Sequence, residues 1–240
     1  MDLGRAFTAM FRDERWTEKL LVAALLPLVP IAGGFLVFGW ALRYLAHVVA
    51  GQDTELPEWN DWGGDLVRGL LAAIVSLVWF APALLVLACS ALALVPVFAK
   101  WRPLSTVGLV VSLTGFFCLL PVLFALASVL LPLPISRLAL TGKLGAGLAV
   151  RATFAEARCA VSDLLVAWLV GVAYALVLSF VVQTALSFGF LLCVVGIVAA
   201  FLVSAAFQVH WTLVSVHLWG QIRARLDRPV EPTPPEAWLP

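Results

Sequence analysis

Four long stretches without a charged side chain govern what this chain can fold into. They run from Leu20 to Leu42, Gly69 to Ala99, Pro103 to Ser136 and Leu164 to Ile222, which is 23, 31, 34 and 59 residues. An α-helix rises about 1.5 Å per residue and a bilayer's hydrocarbon core is about 30 Å thick, so about 20 apolar residues make one crossing. The second and third stretches each supply one long, tilted span, and the fourth supplies two, with a turn expected at Ser187-Phe188-Gly189. Backbone groups in lipid must bond within their own segment, and these runs show no period-two alternation, so helices rather than a barrel are required.

Composition narrows the class further. The chain is 63% hydrophobic and 12% charged, with mean hydropathy +1.05, against about 25% charged residues in a soluble domain. That excludes a disordered chain, a collagen, a disulfide-stapled secreted module and an ordinary soluble enzyme. Fifteen basic and fourteen acidic residues nearly cancel, so bulk charge points to no nucleic-acid partner. Cys89, Cys118, Cys159 and Cys193 stand singly and read as small buried hydrophobes, with Cys159 beside Arg158 as the one reactive alternative. The acidic residues among the first nineteen do not suit a signal peptide, so the N-terminus is expected to be retained.

The first apolar stretch is broken by Pro27, Pro30, Gly33 and Gly34. It reads either as one kinked span or as a hairpin that dips in and returns. Basic residues near span ends favour the cytoplasm. With a returning hairpin, thirteen basic residues lie inside against Lys100 and Arg102 outside; with a full span the division falls to nine against six. The expected architecture is therefore an all-α polytopic bundle: an interfacial helix at 2–19, a re-entrant or half-penetrating hairpin at 20–49, a polar tryptophan loop at 50–65, and four full spans at about 66–99, 103–133, 164–186 and 190–220. Both termini are cytoplasmic in this reading, and residues 229–240 form a proline-rich tail.

Two stretches are amphipathic and suit helices lying in the headgroup plane. Leu3, Phe7, Met10 and Phe11 share a face opposite Arg5, Arg12 and Asp13; Gly147, Val150, Phe154, Ala157 and Val161 share one opposite Arg151 and Arg158. Each leads into the tetrapeptide Leu-Leu-Val-Ala, at Leu20–Ala23 and Leu164–Ala167, which leaves an internal duplication open. Gly142, Gly145 and Gly147 around Lys143 read as a flexible entry to the second of these helices.

The polar loop carries Asp53, Glu55, Glu58, Asp61 and Asp65 around Pro57-Glu58-Trp59-Asn60-Asp61-Trp62. Its spacing fits neither an EF-hand nor a helical metal motif. Asn60 or Asp61 is expected to cap the next helix, with Trp59 and Trp62 anchored among headgroups. A partner surface formed by Pro57, Glu58, Trp59, Asp61 and Trp62 is the alternative. Within the apolar runs the polar suspects are His210, His217 and Gln183, read as hydrogen-bonded between helices or as lying near the cytoplasmic interface beside Trp211 and Trp219, rather than as metal or haem ligands. Neither GxSxG, HExxH nor a phosphate-cradling GxxxxGK[ST] occurs.

The order Ala6-Phe7 to Asp13, Trp16, Lys19-Leu20-Leu21, the Pro30–Gly34 break, Gly39-Trp40-Ala41-Leu42-Arg43 and Leu56-Pro57-Glu58-Trp59-Asn60-Asp61-Trp62 resembles a domain-of-unknown-function family of bacterial and archaeal multi-pass membrane proteins. The likeness covers roughly the first hundred residues and, more loosely, Arg151 to Val170. It implies a prokaryotic inner-membrane protein and transfers no catalytic residue. The expected function is thus non-catalytic: a structural, assembly or accessory subunit of a membrane complex. The expected partners are the lipid bilayer and other membrane subunits or further copies of the chain, with no cofactor and no metal. A small-solute transporter or channel using the broken hairpin is the alternative.

Overall fold

The computed structural model describes residues 1–99, 102–191 and 193–227. The proline-rich tail expected at 229–240 and the basic residue Lys100 lie outside the described residues, as does the side chain of Cys193. Among the described residues the chain is predominantly helical and contains no strand. Its helices are α1 (Leu3–Thr8), α2 (Trp16–Leu25), α3 (Ala32–Val49), α4 (Trp62–Leu92), α5 (Val95–Phe98), α6 (Arg102–Thr114), α7 (Leu120–Leu130), α8 (Pro132–Thr141), α9 (Leu144–Gly147), α10 (Val150–Cys159), α11 (Val161–Leu191) and α12 (Cys193–Leu226). Among the described residues five helical segments are long and apolar enough to cross a membrane: Ala32–Val49, Trp62–Phe98, Ser105–Thr141, Val161–Thr184 and Val198–Leu226. The chain is an all-α polytopic membrane bundle.

The front of the chain departs from a single interfacial helix over 2–19. Asp2 caps α1 by accepting from the Arg5 N–H, a 3-10 turn follows at Ala9–Arg12, and the backbone is extended at Asp13. Asp13 is 5% exposed rather than on a solvated face. It is buried because Lys19 and the Leu56 N–H both donate to its carboxylate. Helix α2 therefore starts at Trp16, earlier than expected.

Helix α2 has 10 residues and is about 15 Å long, half of what a crossing needs. A 3-10 turn at Leu26–Leu28 ends it, and the chain reverses through Val29-Pro30-Ile31 into α3. Gly33 permits the reversal, since a β-carbon there would run into the Leu26 carbonyl. Ile31 has φ of 67°, the only positive value at a non-glycine among the described residues, and its side chain is 81% exposed. A β-branched residue in that region is strained.

Helices α3 and α4 run antiparallel with their backbones in close approach. A β-carbon at Gly39 would strike the Asp65 carbonyl, and one at Gly69 the Phe35 carbonyl. This register puts the hairpin tip level with Ala73 and Ser76, which share a cavity wall with Pro27 and Ile31. That level lies about 20 Å along a helix about 46 Å long.

Other boundaries shift for identifiable reasons. Asp61 caps α4 by accepting from the Gly64 N–H at 3.1 Å, so the loop stops at 61 instead of 65. The third apolar helix does not end near 133 but continues through α8 to Thr141. Arg137, whose charge marked the run's end, is buried there against Glu156 and the carbonyls of Ala146 and Ala149. A five-residue π-helical stretch, Gly115–Leu119, joins α6 to α7. Helix α11 runs through the turn expected at 187–189, where the Ser187 hydroxyl donates to the Gln183 carbonyl one turn back. Cys89, Cys118 and Cys159 are exposed rather than buried.

The fold is two helix pairs tied together at one end. Helix α4 packs on α7, and α11 packs on α12; α3 and α8 sit between the pairs and touch both α4 and α12. The core reflects this, with Trp40, Tyr44, Leu45, Val75, Ile135 and Val216 buried together. The shared tetrapeptides play the same part: Ala23, Leu164 and Ala167 are buried and Leu20 partly so, while Leu21 and Leu165 face outward, and both α2 and α11 pack on α12.

Candidate functional site

The tryptophan loop closes over the base of the hairpin. Trp59 stacks on Trp40 with ring centroids 4.6 Å apart and 14° between planes, and Trp62 follows at 5.4 Å from Trp59. The Trp40 indole donates to the Pro57 carbonyl at 2.8 Å and the Trp59 indole to the Lys19 carbonyl at 3.2 Å. Trp59 is thus an internal strut rather than a headgroup anchor, and Pro57 is buried beneath it. Beneath them the Lys19 ammonium donates to Asp13 at 2.8 Å and to the Leu56 carbonyl at 2.7 Å, and lies 2.9 Å from Glu58. Burial pushes the Asp13 carboxyl up, but Lys19 and the N–H groups of Leu56 and Arg15 outweigh it and hold it below the ordinary carboxylate range.

Two more ion clusters fasten the same end. Arg5 on α1 grips Asp53 through Nε at 2.6 Å and through Nη2, and this guanidinium holds the Asp53 carboxyl below its usual range against the opposing effect of burial. His217 on α12 comes to 3.9 Å from Asp53 by Nε2 and 3.0 Å from the Tyr44 hydroxyl by Nδ1. Arg43 forks onto Asp65, at 2.7 and 2.6 Å, and also reaches Asn60 and the Glu58 carbonyl. Arg68 bridges Asp65 and Asp61. On the opposite rim Glu156 takes both Arg137 and Arg223. Among the described residues no buried side-chain polar atom lacks a partner.

Below this lock the interior opens. A cavity of 640 Å³ lies under the hairpin tip, bounded by Ile31, Gly34 and Phe35 on one side, Ala73 and Ser76 on α4, and Ser204 to Val209 on α12. A second of 870 Å³ lies between α7, α11 and α12 and shares Phe38, Gln208 and Thr212 with the first. A third of 840 Å³ shares Ala73 and Ser76 with the first and Pro121 and Phe124 with the second. The first two adjoin as one apolar hollow between the helix pairs, and the third opens onto it along α4 and α7. Four hydroxyls along the hollow donate to their own helices, Ser76 to Ala72, Ser204 to Ala200, Thr212 to Gln208 and Ser128 to Ala125, and Ser128 also accepts from the Trp168 indole of α11 at 2.8 Å. Gln208 stands exposed where the first two cavities meet.

The residues singled out in sequence fall into separate places. Pro27 and Gly34 line the hollow, while Gly33 forms the hairpin's close contact and Pro30 its reversal. Of the loop residues, Glu58 and Trp62 are exposed and Asp61 is engaged as a cap and with Arg68. His210 lies 3.0 Å from the Tyr174 hydroxyl and 3.4 Å from the Phe7 carbonyl, so both histidines sit at the charged end rather than deep in the apolar runs. Gln183 is exposed on α11 and joins neither. Among the described residues no group of three His, Cys, Asp or Glu could hold a metal ion. The partners that sequence reasoning missed, Asp13 with Lys19, Arg5 with Asp53, and Arg137 with Glu156, are distant in the chain or hidden among solvent-like charges.

Residues 22–186 match the family described as "Protein of unknown function (DUF4013)". The match covers more than half of the chain, and the chain belongs to that family. No curated protein and no solved structure matches it.

Proposed function

We propose that this family member is a non-catalytic scaffold of a prokaryotic cytoplasmic membrane, an accessory subunit that receives a transmembrane helix of another membrane protein in the hollow between its two helix pairs. The charged end faces the cytoplasm in this reading. The α2–α3 hairpin half-penetrates the bilayer and roofs the hollow near the midplane. One observation carries the proposal: the loop's polar groups lock the hairpin, while the hollow is lined mainly by apolar side chains and its Ser76, Ser204 and Thr212 hydroxyls are bonded to their own helices. Such a wall offers packing surface and little to hold a reacting group. Small residues along it, Gly34, Ala73, Ser76 and Ala205, suit close approach by a helix backbone.

Photo-crosslinking from Ser204, combined with mild-detergent purification and mass spectrometry, tests this. A single stoichiometric partner crosslinked from Ser204 and not from Leu169, which is 58% exposed on α11, is the expected result. A β-carbon on Gly34 would meet no atom within 4 Å and Gly34 lines the hollow, so Gly34→Trp is expected to place its ring in the hollow and remove the crosslink, with an elution profile like wild type as the check on folding. A homogeneous monomer with no protein crosslink refutes the scaffold. The same open position favours a second reading, a solute path past the start of α3, since helix N-termini attract anions. Liposome flux abolished by Gly34→Trp would support it.

A further inference from the structure

Nearly every charge at the closed end of the bundle is paired. At this end, among the cations whose side chains are described, Lys143, Arg151 and Arg158 have no acidic partner within salt-bridge distance; all three lie on the short segment that carries α9 and α10 and are exposed. The nearby acids are already committed inward: Glu156 to Arg137 and Arg223, Asp163 to Arg225 and Asp227 to Arg223.

The orientation of α10 gives that excess charge a direction. Thr153 and Ala157 are buried against the bundle. At about 100° per residue, Arg151 and Arg158 project away from that buried face, two turns apart, and Val150 and Phe154 form the flank beside them. Val150 and Phe154 are 52% and 44% exposed. They also line a groove of 260 Å³ between α4 and α7, with Trp79, Pro82 and Leu126. The Trp79 indole donates to the Gly147 carbonyl at 3.1 Å, which fixes α9 against α4 at the head of the groove. Two outward guanidiniums therefore stand at the rim of an apolar slot that runs toward the membrane interior.

We propose that this rim is a binding site for an anionic phospholipid of the cytoplasmic leaflet. Arg151 and Arg158 hold its phosphate, Lys143 adds to the attraction, and one acyl chain lies in the groove past Phe154 and Trp79. Charge complementarity selects the headgroup and the groove selects a lipid over a free phosphate. The proposal rests on the orientation of α10, not on a partner in the central hollow, so it stands or falls independently of the scaffold reading.

Electron spin resonance of the full chain in phosphatidylcholine vesicles tests it, with trace spin-labelled phosphatidylglycerol or phosphatidylcholine as probe. Wild type is expected to favour phosphatidylglycerol severalfold. Arg151→Gln with Arg158→Gln brings that preference close to parity, since each arginine near the surface is worth up to about fivefold at low ionic strength. Among the described residues these side chains have no partner to lose, so thermal stability is expected to stay unchanged. The control Arg15→Gln with Arg225→Gln removes the same charge elsewhere and leaves the preference intact. Millimolar glycerol 3-phosphate fails to displace the lipid. Equal preference in wild type and the Arg151/Arg158 double variant, an equal loss in the control, or displacement by the free phosphate would each overturn the site.

Discussion

Replacing Lys19 by Met keeps the length of the side chain and removes its charge. The Asp13 carboxylate, 5% exposed, then loses its cation, and the Leu56 carbonyl loses its donor at 2.7 Å. Breaking a buried pair from one side costs about 3–5 kcal/mol. The site lies near the water-facing end and Asp13 keeps its N–H donors from Leu56 and Arg15, so the lower figure, about 3 kcal/mol, applies. In a chain of this length that lowers the apparent melting temperature by about 6–12 °C. Fluorescence-detected size exclusion after heating in detergent reads it. Asp13→Asn added to Lys19→Met restores part of the loss, because the unpaired charge is gone. If Lys19→Met melts with wild type, or if the double variant is no better than the single, the buried pair does not hold the hairpin's base.

The remaining expectations use other parts of the lock. Gly39→Leu cannot be accommodated against the Asp65 carbonyl and abolishes a monodisperse elution peak, whereas Gly34→Leu elutes as wild type. Ile31→Gly relieves the positive φ at an exposed side chain and raises stability by about 1 kcal/mol, or about 2–4 °C, in the same heating assay. Asp53 and Asp13 have depressed carboxyl values, so their contribution is complete above the ordinary carboxylate range and is lost as pH falls through the lower folded values. Below about pH 4 proteolysis should therefore begin to cut ahead of Trp16; cleavage independent of pH would remove Arg5–Asp53 as the tether of α1.

Much of the architecture can be read from the residues because lipid imposes it. The apolar runs mark the helices, Asp61 announces a cap, and Pro27, Pro30 and Gly33 mark the reversal. Reading boundaries from charge fails where a charge is neutralised internally, as Arg137 is by Glu156. The lock was less legible for a related reason. Asp13, Lys19 and Asp53 look solvated in sequence, and only the tertiary pairing of residues up to 48 positions apart buries them. Trp59 has the signature of a membrane-interface tryptophan, yet the nearest aromatic face is Trp40, nineteen residues earlier across the returning helix. The amphipathic pattern at 150–161 located α10, but its bundle-facing side carries Thr153 and Glu156, because Arg137 needs them there.

Everything about the roof of the hollow depends on the chain turning back after α2. In a cysteine-free background, Thr8→Cys and Gln52→Cys place exposed thiols before and after the hairpin, and a membrane-impermeant maleimide applied to oriented vesicles reports their sides. Labelling of both from the cytoplasmic face is the predicted result; labelling from opposite faces would mean that the segment crosses the bilayer, and would contradict the account.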